Sequence, residues 1–200
     1  MSIAERRCRE KQALRENILN TAWQIVRDEG WQSLSIRKIA DAIEYSVPVI
    51  YDHFENKEAI LMEFGKQGFE LIIKKMLAAK NQTRDPEEQL KAIANAYWSF
   101  AFKHKEYYQL MWGMNIPCCG MERCIPERFD FKDLIMGPMN SIIERSNNQT
   151  VKACIKYHTF WSILHGLISI KMIAPPDDSL EVNKMVMEDA IEGFIKNLSS

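Results

Sequence analysis

The sequence predicts an all-α protein of about nine helices, and three observations carry that prediction. Apolar residues recur at helical spacing through most of the chain. Glycine is sparse, at 8 of 200 residues, and the 7 prolines fall mainly between the periodic stretches. No internal repeat or low-complexity tract interrupts the pattern. An apolar content of 46% is enough for a packed core in one or two domains. The formal net charge of −1 excludes a polycation, so a nucleic-acid partner has to be held by local charge. The 5 cysteines are irregularly spaced, and Met1–Arg7 carries no apolar leader segment. Reduced thiols in a cytoplasmic protein are therefore expected. The most apolar run, Phe160–Ile170, contains His165 and ends at Lys171, which is too short and polar for a bilayer span. No membrane partner is expected.

At the N-terminus, residues 1–11 set Arg6, Arg7, Arg9 and Lys11 against Glu5 and Glu10. They read either as a flexible basic arm for phosphates or the minor groove, or as a solvated lead into a helix. Leu14, Ile18, Ala22 and Ile25 then form one helical stripe, which Gly30 is placed to end. Trp31 and Leu34 are expected to cover the small core beneath it. Ser35 is an N-cap for a helix whose apolar face is Ile36, Ile39, Ala40 and Ile43. Glu44-Tyr45 breaks that pattern. Ser46 then precedes a short helix from Val47 to about His53, in which Pro48 occupies the first turn at no hydrogen-bond cost. Ile50 and Phe54 are its buried anchors, and Asn56 caps the next helix. A helix, a tight turn and a short second helix make a helix-turn-helix, whose second helix enters the major groove of DNA.

Beyond it the periodicity predicts helices from Lys57 to about Lys80, from Pro86 to near His104, and from Glu106 to Trp112. Three more are expected, over 129–146 with a bend at Gly137-Pro138, over about 149–173, and over about 180–198. Pro175-Pro176 separates the last two. Ser162, Gly166 and Ser169 put small side chains on one face of the first of this pair, and Met187, Ile191 and Phe194 give the second an apolar stripe. These six residues are expected to form a four-helix homodimer interface with a second copy.

Three constellations could carry chemistry. In the recognition region, Tyr51 offers a hydroxyl to a phosphate and Lys57 a charge at a helix N-terminus. Arg37 and Lys38 lie on the polar face of the preceding helix, Ser46, Val47 and Val49 face the groove, and His53 completes the set. In the larger part of the chain, Tyr97, Phe100, Tyr107, Tyr108, Met111, Trp112, Trp161 and His165 suit a roomy pocket for an apolar or amphipathic ligand, although each alone reads as core. Cys118, Cys119 and Cys124 share one loop between Pro117 and Pro126 and could bind a soft metal or sense oxidants. Their spacing fits no standard zinc motif, and unreactive thiols are the simpler reading. The sequence shows no catalytic constellation, and neither a cofactor nor a resident metal is expected.

Tyr51, His53, Phe54, Lys57 and Glu58 resemble, position by position, the Tyr-x-His-Phe-x-x-Lys-Glu signature of the TetR family of transcription regulators. Ile36, Ile39, Ala40 and Ser46 agree with it upstream. The chain departs from the family in having Glu44 where glycine is usual in the turn, and Val47-Pro48-Val49 in place of Lys-Gly-Thr. It also has Lys38 where an acidic residue is common. Ala96-Tyr97 to Glu106 and the Trp161, His165, Gly166 motif resemble the C-terminal domain of the Trp-His-Gly subgroup, with Lys105 in place of proline. The resemblance implies a DNA-binding head at 1–56 and a ligand-binding and dimerisation domain at 57–200. It further implies double-stranded DNA with a pseudo-palindromic operator and a small-molecule effector as partners, and repression relieved by that effector.

Overall fold

A computed structural model describes residues 2–112, 127–146, 152–173 and 180–199. Among the described residues there are nine α-helices and one 3-10 turn, and no strand. The all-helical architecture is as the sequence predicts.

Helix α1 spans Ile3–Glu29. Its start is fixed by a capping box, in which Ser2 Oγ accepts from the Glu5 amide at 3.2 Å and the Ser2 amide donates to Glu5 Oε2 at 2.7 Å. Its end is fixed by Gly30, whose φ of 83° an L side chain rarely adopts. The basic stretch from Arg6 to Lys11 is therefore exposed helix and not an extended arm. No glycine or proline interrupts residues 3–29, and Arg6 pairs with Glu10 one turn on at 2.7 Å.

The 3-10 turn Trp31–Ser33 leads into α2, Ile36–Ala42, and then α3, Val47–Tyr51. Ile18, Ala22, Leu34, Ile39, Ala40, Ile50 and Phe54 close a small core among these elements. Helix α4, Lys57–Lys80, begins where Asn56 Oδ1 accepts from the Ala59 amide at 2.8 Å. Asp85 caps α5, Pro86–Lys103, by accepting from the Glu88 amide at 3.2 Å. The remaining helices are α6 (Lys105–Met111), α7 (Glu127–Ser146), α8 (Ala153–Ile173) and α9 (Leu180–Ser199). Helix α7 runs through Gly137-Pro138 as one element.

Contacts divide the chain into two compact units. The first contains residues 2–67 together with Glu106 and the rest of α6. The second contains the remainder of α4 with α5, α7, α8 and α9. In the second unit α5, α7, α8 and α9 each pack on the other three, which is a four-helix bundle. Its centre is filled by Ile93, Tyr97, Phe131, Met139, Phe160 and Ile191, all at most 1% exposed. Among the described residues no helix is long and apolar enough to cross a membrane.

The turn between α2 and α3 carries a strain that the sequence only hints at. Glu44 adopts φ 60°, the left-handed conformation in which a Cβ crowds the following carbonyl. Glycine at this place has no such penalty, although it costs more chain entropy on folding. Glu44→Gly is therefore expected to stabilise the protein by about 1 kcal/mol, raising Tm by a few degrees. An unchanged or lowered midpoint in thermal unfolding would contradict this.

Candidate nucleic-acid interface

The helix-turn-helix is built from its buried side outward. Ser35 Oγ accepts from the Lys38 amide at 3.2 Å and starts α2, which turns Ile39 and Ala40 fully inward. The chain reverses through Glu44, and the Tyr45 amide returns to Ala40 O at 3.0 Å. Helix α3 starts after Ser46 and closes with the Phe54 amide on Ile50 O at 2.9 Å. Ile50 and Phe54 anchor its back. The Arg15 guanidinium lies 4.6 Å from the centre of the Phe54 ring and bonds Glu63 at 2.6 Å, which locks α1 and α4 around that anchor. With its back held this way, α3 presents Pro48 and Tyr51 to solvent, and the preceding turn adds Tyr45 and Ser46.

The DNA-contact residues expected from sequence occupy three settings. Arg37, Ser46 and Tyr51 are exposed; Arg37 stands 4.0 Å from Asp41, and Ser46 makes no side-chain cap bond, so its hydroxyl is available. Val47, Val49 and Lys57 are half-buried, the lysine at the first position of α4. Lys38 is also half-buried and its ammonium is paired with Glu29, so reading a base would mean giving up that partner. His53 sits in a cleft with Glu10, Lys11, Leu14, Tyr45 and Asp52 and not on the exposed rim. Sequence reasoning missed Tyr45, which is as exposed as Tyr51, and Arg15, whose partners lie 39 and 48 residues along the chain. An aromatic residue directly before the cap serine was the only signal for the first.

Burial, then the neighbouring Lys11 and Arg15 cations, hold His53 below its ordinary value of 6.5, with Asp52 opposing. Burial alone does the same to His165, whose ring stacks on Trp161 at 4.7 Å and 9°. Both histidines thus prefer the neutral form in the folded state. A base whose folded pKa is lowered contributes stability that is complete above 6.5 and is lost as pH falls through the folded value. The denaturant midpoint should be lower at pH 5 than at pH 7.5, and His165→Gln should flatten that dependence. A flat profile in the parent would contradict this assignment.

The residues expected to line an effector pocket are split between the two units. Tyr107, Tyr108, Met111 and Trp112 belong with the helix-turn-helix, and Tyr97, Phe100, Trp161 and His165 belong with the bundle. Tyr97 and Phe100 are 1% exposed, and Tyr97 packs on Phe131 at 5.9 Å. A cavity of about 280 Å³ opens between α5 and α9, over Ala94, Met187 and Ile191, and none of the eight lines it. Cys118, Cys119 and Cys124 lie outside the described residues, and no group of three or more metal-binding side chains occurs among those described. Nothing observed supports a thiol trigger.

Of the six residues expected at a dimer interface, Met187, Ile191 and Phe194 are buried in the protomer's own bundle, Phe194 against Phe160 at 5.4 Å. Ser162 is exposed and Gly166 and Ser169 are half-buried. On α8, Ser162 and Gly166 continue a line with Ile155, Thr159, Ile170 and Ile173, at steps of three and four residues. The three isoleucines of this line are 58–81% exposed. On α9 the exposed apolar residues are Val182, Met185 and Val186.

A short helix held by its back, with an exposed polar and aromatic front, in a chain that also carries a helical bundle, is the arrangement of a helix-turn-helix DNA-binding protein. Comparison with known proteins makes the class specific. Residues 18–64 match the family of bacterial regulatory proteins called tetR, and residues 90–185 match the tetracyclin repressor-like C-terminal domain. The chain belongs to the TetR family of DNA-binding transcription regulators. It is 26% identical over 164 residues to the HTH-type transcriptional regulator Rv0681 of Mycobacterium tuberculosis, covering 82% of this chain and 72% of that one. The tetracycline repressor protein class C of Escherichia coli is 36% identical over 47 residues, 24% of this chain and 22% of its own. The fold is also that of AibR in its complex with isovaleryl coenzyme A and operator DNA, with a TM-score of 0.63 at 17% identity, over 92% of this chain and 96% of AibR.

Proposed function

We propose that the protein is a homodimeric repressor that leaves its operator when a small apolar or amphipathic ligand binds. Its helix-turn-helix lies within 1–56, in the compact unit that also holds the start of α4 and α6, and dimerisation belongs to the helical bundle. The observation that carries the dimer is the exposed line on α8. Three isoleucines spaced along one helix face, with Thr159, Ser162 and Gly166 between them, make an apolar strip that a protomer alone leaves in water. Small residues at its middle let a second α8 approach closely, and Val182, Met185 and Val186 of the packed neighbour α9 are further exposed apolar residues available to a second copy. This moves the α9 contribution away from Met187, Ile191 and Phe194, while Ser162 and Gly166 stay at its centre and Ser169, whose hydroxyl is buried in the protomer, falls beside it.

Two heads related by a two-fold axis read a pseudo-palindrome with half-sites about one helical turn, or slightly more, apart. On α3, Tyr51 serves phosphate, Lys57 serves phosphate from α4, and Ser46, Val47 and Val49 meet base edges, with the valines suited to thymine methyls. Because the groove-facing helix has few polar readers, Arg37 and local DNA shape carry much of the selectivity. An apolar effector is supported by AibR, which shares the fold and whose structure holds isovaleryl coenzyme A together with operator DNA. The ligand acts by binding better to the state in which the heads no longer fit the operator.

The test is selection of genomic fragments by the purified protein, followed by challenge of the complex with fatty acids and their coenzyme A thioesters. A selected pseudo-palindrome and release by at least one compound are the expected results. Retention of random fragments at equal strength would contradict the reading.

A further inference from the structure

Helix α6 belongs to the same compact unit as the helix-turn-helix, and two aromatic side chains account for that. Trp31, in the 3-10 turn after α1, donates its indole N–H to the carbonyl of Glu106 at 2.9 Å, 75 residues along the chain. Tyr107 stacks on Trp23 of α1, ring centres 4.2 Å apart and 24° from parallel, and donates its hydroxyl to Gln67 Oε1 of α4 at 3.0 Å. Phe64 touches both tryptophans, at 5.3 Å from Trp23 and 5.8 Å from Trp31. Tyr108 and Leu110 of α6 are fully buried. Stacked and edge-on ring pairs of this kind add to the area they bury, and a buried indole N–H needs its acceptor. Burial of the Tyr107 phenol, which pushes its pKa up, keeps it a neutral donor.

We propose that Trp31 and Tyr107 are positioning residues for DNA recognition. They bolt α6 to the head, so that the body which reads DNA is residues 2–67 plus α6 and not the helix-turn-helix alone. The chain leaves this body inside α4, after Gln67, and returns to it at Glu106. Each head is thereby steered through the chain on both sides of α6 as well as through α4, and the separation of half-sites that a dimer accepts is set by α4 and α6 together. This rests on the dimeric DNA-binding reading above and adds to it which residues set the spacing.

The experiment uses the full chain, the operator that the parent selects, and versions of that operator with one base pair added or removed between the half-sites. Trp31→Phe and Tyr107→Phe each keep a ring and delete one donor. Each should weaken binding to the native spacing by about 5-fold while leaving the altered spacings nearly unchanged, so that discrimination between spacings shrinks. A loss that is equal at every spacing is what a merely structural defect gives, and it would overturn the proposal. So would full retention of the parent's discrimination in folded variants. Tyr107→Phe, whose hydroxyl lies at a half-buried site, carries the test alone if Trp31→Phe does not fold. If the parent selects no DNA, the dimeric DNA-binding reading fails, and this inference with it.

Discussion

Gly166→Trp should convert the protein into a folded monomer and weaken operator binding by about 100-fold or more. A Cβ at Gly166 meets nothing within 4 Å, so the helix itself has room for a side chain to begin there. Away from glycine, the middle of α8 even gains helix propensity, about 0.3–0.5 kcal/mol for tryptophan. The substitution therefore leaves the bundle intact while placing an indole where the proposed interface needs two helices in close approach. Loss of the dimer removes the second head, and with it the gain from binding two half-sites at once. Light scattering reads the mass, thermal unfolding reads the fold, and fluorescence anisotropy with the selected operator reads affinity. A variant that remains dimeric and bound would show that α8 does not form the interface.

Tyr51→Ala together with Lys57→Ala should weaken operator binding by about 100-fold without destabilising the protein. Tyr51 is 52% exposed, so its removal falls within the small effects of surface changes, about 0.5 kcal/mol. Lys57 is expected to neutralise one phosphate per head. Its loss should lower the slope of log affinity against log salt by about one for each head. Tyr51→Phe separates the hydroxyl from the ring and should retain the affinity that ring contact alone supplies. If the double variant binds the same sites with the parent's affinity and salt slope, the DNA surface lies elsewhere.

The head was largely legible because its signals are local. Ser35, Asn56 and Gly30 act at the helix ends where their chemistry places them, and Ile39, Ala40, Ile50 and Phe54 turn inward at the spacing their periodicity demands. The start of α1 was legible too, in Ser2 and Glu5, but the charge pattern over Arg6–Lys11 drew attention away from that capping box. What resisted reading depends on partners far along the chain. Lys38 has the right sign and place for DNA but is paired with Glu29, and Trp31 looked like a lid on the head's small core while its N–H reaches Glu106. Met187, Ile191 and Phe194 illustrate a deeper ambiguity. An apolar helical stripe has the same period whether it meets its own bundle or a second copy, and only the fold distinguishes the two. The aromatic residues expected around an effector had no spacing to bind them into one wall, and they fall in both units.

The central claim, that α3 enters the major groove, is tested most directly by a photo-crosslinking amino acid at Ser46. Its hydroxyl makes no cap bond and its side chain is exposed, so replacement there disturbs neither α3 nor the core. On the selected operator, irradiation should join this position to bases inside each half-site, whereas the same probe at exposed Glu144 of α7 should give none. Equal yields from the two positions, or attachment from Ser46 only outside the half-sites, would contradict the account.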